Sequence, residues 1–128
     1  MKNIARTLSL SFIIMLAVTV LFSCKKENKS GTHKVKFKAE TSSDAKLSSV
    51  FYTRETGDIL TNTSVNSSSF SSSELTIPSS IPVITFGASG TGASAGSTLK
   101  VQIWVDGNLV KESIGTGTAL SATTTYSF

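Results

Sequence analysis

The sequence predicts an all-β domain, a two-layer antiparallel β-sandwich of about seven to eight strands, behind a cleaved signal peptide. Three observations carry that expectation. Ser and Thr account for 23 and 17 of the 128 residues. With scattered Val, Ile and Phe they suit strands better than helices, because β-branched side chains lose rotamer freedom in a helix. Several segments after residue 32 alternate apolar and polar residues with period two, and Gly, Asp and Asn clusters break them into short runs.

His33 to Glu40 alternates strictly, with Val35, Phe37 and Ala39 on one face and Lys34, Lys36, Lys38 and Glu40 on the other. This is a half-buried strand whose outward lysines also guard it if it lies at an edge. TSSDAK is a turn or loop, and Ser48 to Thr53 is a second strand. Gly57, in the run Arg54 to Asp58, suits the positive φ of a hairpin turn, and Ile59 to Val65 returns as a third strand. Asn66 to Ser73 reads as a loop or a weak edge strand in which Phe70 alone can pack. Leu75 and Ile77 alternate with polar neighbours up to Pro78. Pro82 opens a core strand, Val83 to Phe86, where its missing N–H matters least, and Gly87 to Gly96 reads as a glycine-rich loop.

The clearest hairpin follows. Leu99, Val101, Ile103 and Val105 alternate with Lys100, Gln102 and Trp104, and Asp106-Gly107 supplies a type I′ turn. A regular two-residue loop pairs Trp104 with Leu109, Ile103 with Val110 and Leu99 with Ile114. It also sets Glu112 opposite Val101, so either the ladder has a bulge or Glu112 lies at an open edge. Gly115 and Gly117 turn the chain into a last strand, where Leu120, Ala122, Thr124, Tyr126 and Phe128 share a face.

Residues 1–23 read as a targeting segment: MKNIAR carries Lys2 and Arg6, and Leu8 to Phe22 is almost wholly apolar. That run is shorter than the roughly 20 residues that cross a bilayer. It stops at Leu21-Phe22-Ser23-Cys24, followed at once by the polar KKENKS. The junction resembles the lipobox of bacterial lipoproteins, with Leu21, Ser23 and Cys24 on the pattern and Phe22 departing from it. The resemblance implies that Cys24 becomes the first mature residue and carries acyl chains that anchor it to a membrane; two or three chains hold essentially permanently. The alternative is a free thiol or half of an intermolecular disulfide. Residues 24–32 then form a flexible tether, and 33–128 the sandwich. LFSCKKEN is similar in style to lipoproteins of the Bacteroidota. Lys25 after the cysteine, by the same resemblance, argues against inner-membrane retention and for the outer membrane, on its periplasmic or its surface face.

The formal charge of +4 sits in the leader and tether. From Gly31 onward seven basic residues meet seven acidic ones, so the domain has no electrostatic footprint for nucleic acid.

SSVFYTRETGD and TLKVQIWVDGNLVKESIGTG, in this order, resemble small bacterial domains of the MmpS type, most specifically from Val101 to Gly107, at Val110 and at Gly115. These are transport accessory proteins that work beside RND-type lipid exporters. The resemblance implies an Ig-like sandwich outside the cytoplasmic membrane, tethered at its N-terminus. Actinobacterial members tend to carry a cysteine near the position of Val101, paired to the last strand; this chain has none there.

Catalytic chemistry finds little to use. The single histidine, His33, stands beside the tether, and no GxSxG elbow occurs. One His and one Cys that is expected to be acylated exclude a Cys/His zinc site, and no cofactor is implied. Gly87 to Ser94 has the outline of a phosphate loop, but Ala93 stands where its lysine must be. Asp106 lacks neighbouring acids at calcium-loop spacing and reads as a turn former. Trp104 points away from the Val101/Ile103/Val105 face, beside Leu109. It is either cross-strand packing on a polar face or an exposed platform for a glycan or a protein partner. The expected function is a non-catalytic, lipid-anchored envelope module that binds another envelope protein; the alternative is a surface module for glycan or host protein.

Overall fold

A computed structural model describes Gly31–Phe128. The expected signal peptide, the lipobox at Leu21, Phe22, Ser23 and Cys24, and the tether up to residue 30 lie outside the described residues. Nine strands form two open antiparallel sheets, one strand more than the upper expectation. In one sheet β1 (Thr32–Thr41) lies beside β7 (Thr98–Val105), which pairs with β8 (Asn108–Thr116). The far side of β1 is covered by two short strands in succession, β4 (Ser69–Ser71) and β5 (Leu75–Pro78). The second sheet has the order β3 (Ile59–Asn62), β2 (Ala45–Thr53), β6 (Val83–Gly92), β9 (Ala119–Ser127).

The period-two residues do what their spacing demands. Val35, Phe37 and Ala39 from β1 and Leu99, Val101, Ile103 and Val105 from β7 are buried against Leu47, Val50, Ile84, Phe86, Leu120 and Ala122 of the other sheet. Phe37 meets Phe86 and Tyr52 with ring centroids 5.2 and 5.3 Å apart, and Phe70 packs on Tyr52 at 6.0 Å. Burial of such rings is the main stabilising term; truncating one fully buried Phe costs about 3–5 kcal/mol.

The serine-rich stretch is a strand for a reason in its hydrogen bonds. Between β4 and β5, buried Ser72 accepts the Phe37 N–H on its Oγ at 3.0 Å, and its own N–H donates to the Phe37 carbonyl at 2.9 Å. The far side of β1 is therefore paired over most of its length, and β1 is an interior strand, not an edge. Phe70 is the anchor expected of it, half-buried on the core.

Four expectations need correction. Gly87 to Gly92 is not loop: β6 runs through it as a central strand between β2 and β9. Its glycines serve close approach rather than turning. A Cβ on Gly87 would fall within the Phe51 ring that lies across it, and one on Gly90 would strike the Lys46 carbonyl, which is backbone and yields poorly. β3 ends at Asn62, whose Oδ1 accepts the Ser64 N–H at 3.0 Å in a local turn that competes with the ladder. Gly115 lies inside β8, and only Gly117, at φ 122°, turns the chain.

The hairpin register is the fourth. Trp104 pairs with Leu109 as expected, but Val110 is the extra residue of a bulge, and Ile103 then pairs with Lys111 and Leu99 with Gly115. Glu112 faces Gln102 on the outer face, not Val101. Of the two alternatives, the bulge is the one realised. Its cause lies at the far end of β8. A Cβ on Gly115 would strike the Ser121 carbonyl of β9, so the glycine must be the residue that faces the second sheet. Shifting the register by one turns Ile114 outward and brings Gly115 in.

Candidate functional site

The strand ends sort into two poles. Gly31 to His33, the turns at Arg54–Asp58 and Asp106-Gly107, the Pro78–Pro82 loop and Phe128 lie at the pole where the chain enters from residue 30. Ser42–Asp44, Ala93–Ser97 and Gly117 lie at the other.

At the entry pole Asp106 does more than form a turn. Both turn residues have positive φ, 49° for Asp106 and 82° for Gly107, which is the type I′ pattern expected. In addition the Asp106 Oδ1 accepts the Lys34 N–H at 2.9 Å, its Oδ2 lies 3.0 Å from the His33 Nδ1, and its own N–H donates to the Lys34 carbonyl at 2.7 Å. The His33 contact first, and the Lys34 N–H second, hold the Asp106 carboxyl below its ordinary value of 3.8. The turn thereby locks β7 onto the start of β1. His33 is stacked flat on Phe128, centroids 4.4 Å apart and planes 8° off parallel.

A carboxylate orienting one imidazole nitrogen is half of a nucleophilic triad. The other half is not assembled: among the described residues no hydroxyl is hydrogen-bonded to His33, whose ring face is occupied by Phe128. Among the described residues no group of three or more His, Cys, Asp or Glu stands together as a metal site. At the opposite pole Asp44 accepts hydrogen bonds from Ser42 and Ser97, both at 2.6 Å, and from Ser94 at 3.3 Å. The Ser42 and Ser97 hydroxyls hold its carboxyl below 3.8. This ties the β1–β2 loop to the β6–β7 loop.

Trp104 lies on the outer face, cross-strand from Lys36 and Leu109, as its alternation implies. It is half-buried rather than free. The Lys38 ammonium sits 4.8 Å from the ring centroid, its Nε1 donates to Gln102 Oε1 at 3.3 Å, and Gln102 in turn donates to Glu112 Oε2 at 2.7 Å. A cation over the ring face and a bonded indole N–H fix the ring in place. Beside it opens a shallow hollow lined by Lys34, Lys36, Lys38, Glu74, Trp104 and Gly107. Leu109, cross-strand from Trp104, is exposed. This is the most chemically distinctive surface on the domain: three ammonium groups and an aromatic edge around a concavity.

Sequence reasoning located Trp104, Leu109, Asp106 and Gly107 but missed the lysine row as the partner of Trp104. The signal was present, since Lys34, Lys36 and Lys38 share a face of β1; what was missing was the pairing of β1 with β7. The His33–Asp106 contact spans 73 positions and left no local trace. No family model and no curated protein matches the chain.

Proposed function

We propose that the chain is a lipid-anchored envelope protein, held by acyl chains on Cys24 at the outer membrane. Its sandwich binds another envelope protein as an accessory or assembly module, linked to transport as the MmpS-like resemblance suggests, and performs no chemistry of its own. The observation that carries this reading is the Leu21-Phe22-Ser23-Cys24 junction, placed six residues before the described domain begins at Gly31. The half-buried Trp104, held by Lys38 and Gln102 with exposed Leu109 beside it, supports a protein contact, because rigid aromatic groups anchor interfaces at low entropic cost.

Cys24→Ser should abolish palmitate labelling and leave uncleaved or mislocalised precursor; continued labelling would refute the anchor. Crosslinking of the tagged, lipidated protein in its native envelope, read by mass spectrometry, should recover a transport or assembly subunit, and Trp104→Ala with Leu109→Ser should lose it. A second reading, a surface module for an acidic glycan or host protein, is favoured by the lysine-lined hollow beside Trp104. Recovery of no subunit, together with binding to acidic glycans on an array, would establish it instead.

A further inference from the structure

The exposed apolar side chains are not spread over the domain. Of the six large hydrophobic residues exposed among the described residues, five (Ile59, Leu60, Val83, Leu109 and Phe128) lie at or beside the entry pole, and only Ile114 lies elsewhere. The segments that bear them are knit together. The Phe128 N–H donates to the Pro82 carbonyl at 3.1 Å, the Ser79 N–H donates to the Gly31 carbonyl at 2.6 Å, and Phe128 stacks on His33. The carboxylates of this pole are turned to local donors. Glu55 accepts the Thr76 N–H at 2.7 Å, Asp58 the Thr56 hydroxyl at 3.0 Å, and Asp106 is bonded to Lys34 and His33. The far pole, by contrast, ends in Ser42–Asp44, Ala93–Ser97 and Gly117-Thr118.

We propose that this pole is a membrane-docking surface that rests on an anionic bilayer, so that the domain stands on the membrane rather than swinging free of it. The inference rests on the reading of Cys24 as the lipid anchor. Given that anchor, the covalent length decides the geometry. Seven Cα steps separate Cys24 from Gly31, and at 3.3–3.6 Å per residue they reach no more than about 25 Å. The entry pole thus stays within about 25 Å of the lipid, whereas the far pole, a ten-residue strand or about 33 Å away along the domain, can stand well beyond it. Charge complementary to such a bilayer lies in the intervening chain and on the flank, with Lys25, Lys26 and Lys29 against the single Glu27, and Lys34 and Lys36 beside Trp104; at the pole itself Arg54 stands against Glu55, Asp58 and Asp106. Basic residues near an anionic leaflet, an aromatic ring at headgroup level and apolar side chains at the tip are the combination that an interfacial contact uses.

The acylated Cys24 is the chain's one cysteine, so a cysteine introduced elsewhere is the only free thiol. The full lipidated protein carrying Ser80→Cys at the entry pole, or Ala95→Cys at the far pole, is labelled with an environment-sensitive nitrobenzoxadiazole probe. It is then reconstituted into vesicles of phosphatidylethanolamine with a minority of phosphatidylglycerol. Docking gives the Ser80 probe a several-fold emission gain with a blue shift and protection from iodide, while the Ala95 probe keeps its aqueous values. Ile59→Asp with Val83→Asp, whose circular dichroism should match the parent, abolishes the Ser80 gain. Vesicle-bound protein with both probes in water overturns the docking and leaves the anchor standing; protein that fails to float with the vesicles overturns both. Protection that appears only at high protein density, or only in native envelopes, assigns the pole to a second copy or to a protein partner and likewise overturns the bilayer contact.

Discussion

Asp106 shows how much a single turn residue can hold. Its place in a type I′ turn is readable from Asp-Gly alone, but its two oxygens reach back across the sheet to the Lys34 N–H and to His33. Both contacts favour the ionised carboxyl and depress its pKa in the folded state. A depressed folded value means that the stabilisation is fully present above the ordinary carboxylate pKa near 3.8 and is lost as pH falls through the folded value. Asp44 works in the same direction at the other pole. Stability measured by urea unfolding should therefore hold steady above about pH 5 and fall below about pH 4. Asp106→Asn keeps the shape and tolerates the positive φ, so its acid limb should be shallower; an unchanged limb would refute the role of this carboxylate. Asp106→Ala loses both contacts and, at φ 49°, the short polar side chain that makes this conformation tolerable, and should cost about 1–2 kcal/mol at neutral pH.

The elements divide by how their residues signal. β1 and β7 were legible because a face buried against a second sheet imposes strict alternation, and the Asp-Gly turn between β7 and β8 has few other uses. β6 was not, because a strand whose neighbours crowd its backbone selects glycine, and glycine in sequence reads as a turn. β4 was legible only as one of two alternatives, since its pairing depends on a serine hydroxyl that a sequence of serines cannot single out. The bulge at Val110 was posed but not placed: the misfit of Glu112 announces an extra residue, while the reason sits at Gly115, five residues on. That reason can be tested. Gly115→Ala pushes a methyl group into the Ser121 carbonyl, which is backbone and yields poorly. It should destabilise the domain by about 1–3 kcal/mol, a fall in melting temperature of roughly 4–8 °C per kcal/mol for a domain of this size. An alanine variant as stable as the parent would mean that β8 and β9 are not in close contact there.

At the scale of the whole molecule the two sheets share one apolar core, no disulfide is available to the described residues, and hydrogen bonds tie the loops together at both poles. A core of this size suffices for an independent fold, as many domains below 100 residues show. Gly31–Phe128 produced without residues 1–30 should give a β-type circular dichroism spectrum and unfold in one cooperative step that no metal chelator shifts. The length of the N-terminal end then matters for a specific reason. Gly31 accepts from the Ser79 N–H, and His33 carries both the Asp106 contact and the Phe128 stack. A chain begun at Lys34 keeps every core residue and the Lys34–Asp106 backbone contact, yet loses these three contacts of Gly31 and His33 with Ser79, Asp106 and Phe128. It should fold to the same spectrum with a midpoint lower by about 1–3 kcal/mol, and the loss should be largest at neutral pH, where Asp106 is ionised. Equal stability of the two chains would show that the entry pole is held by the core alone, and that these contacts do not hold the fold.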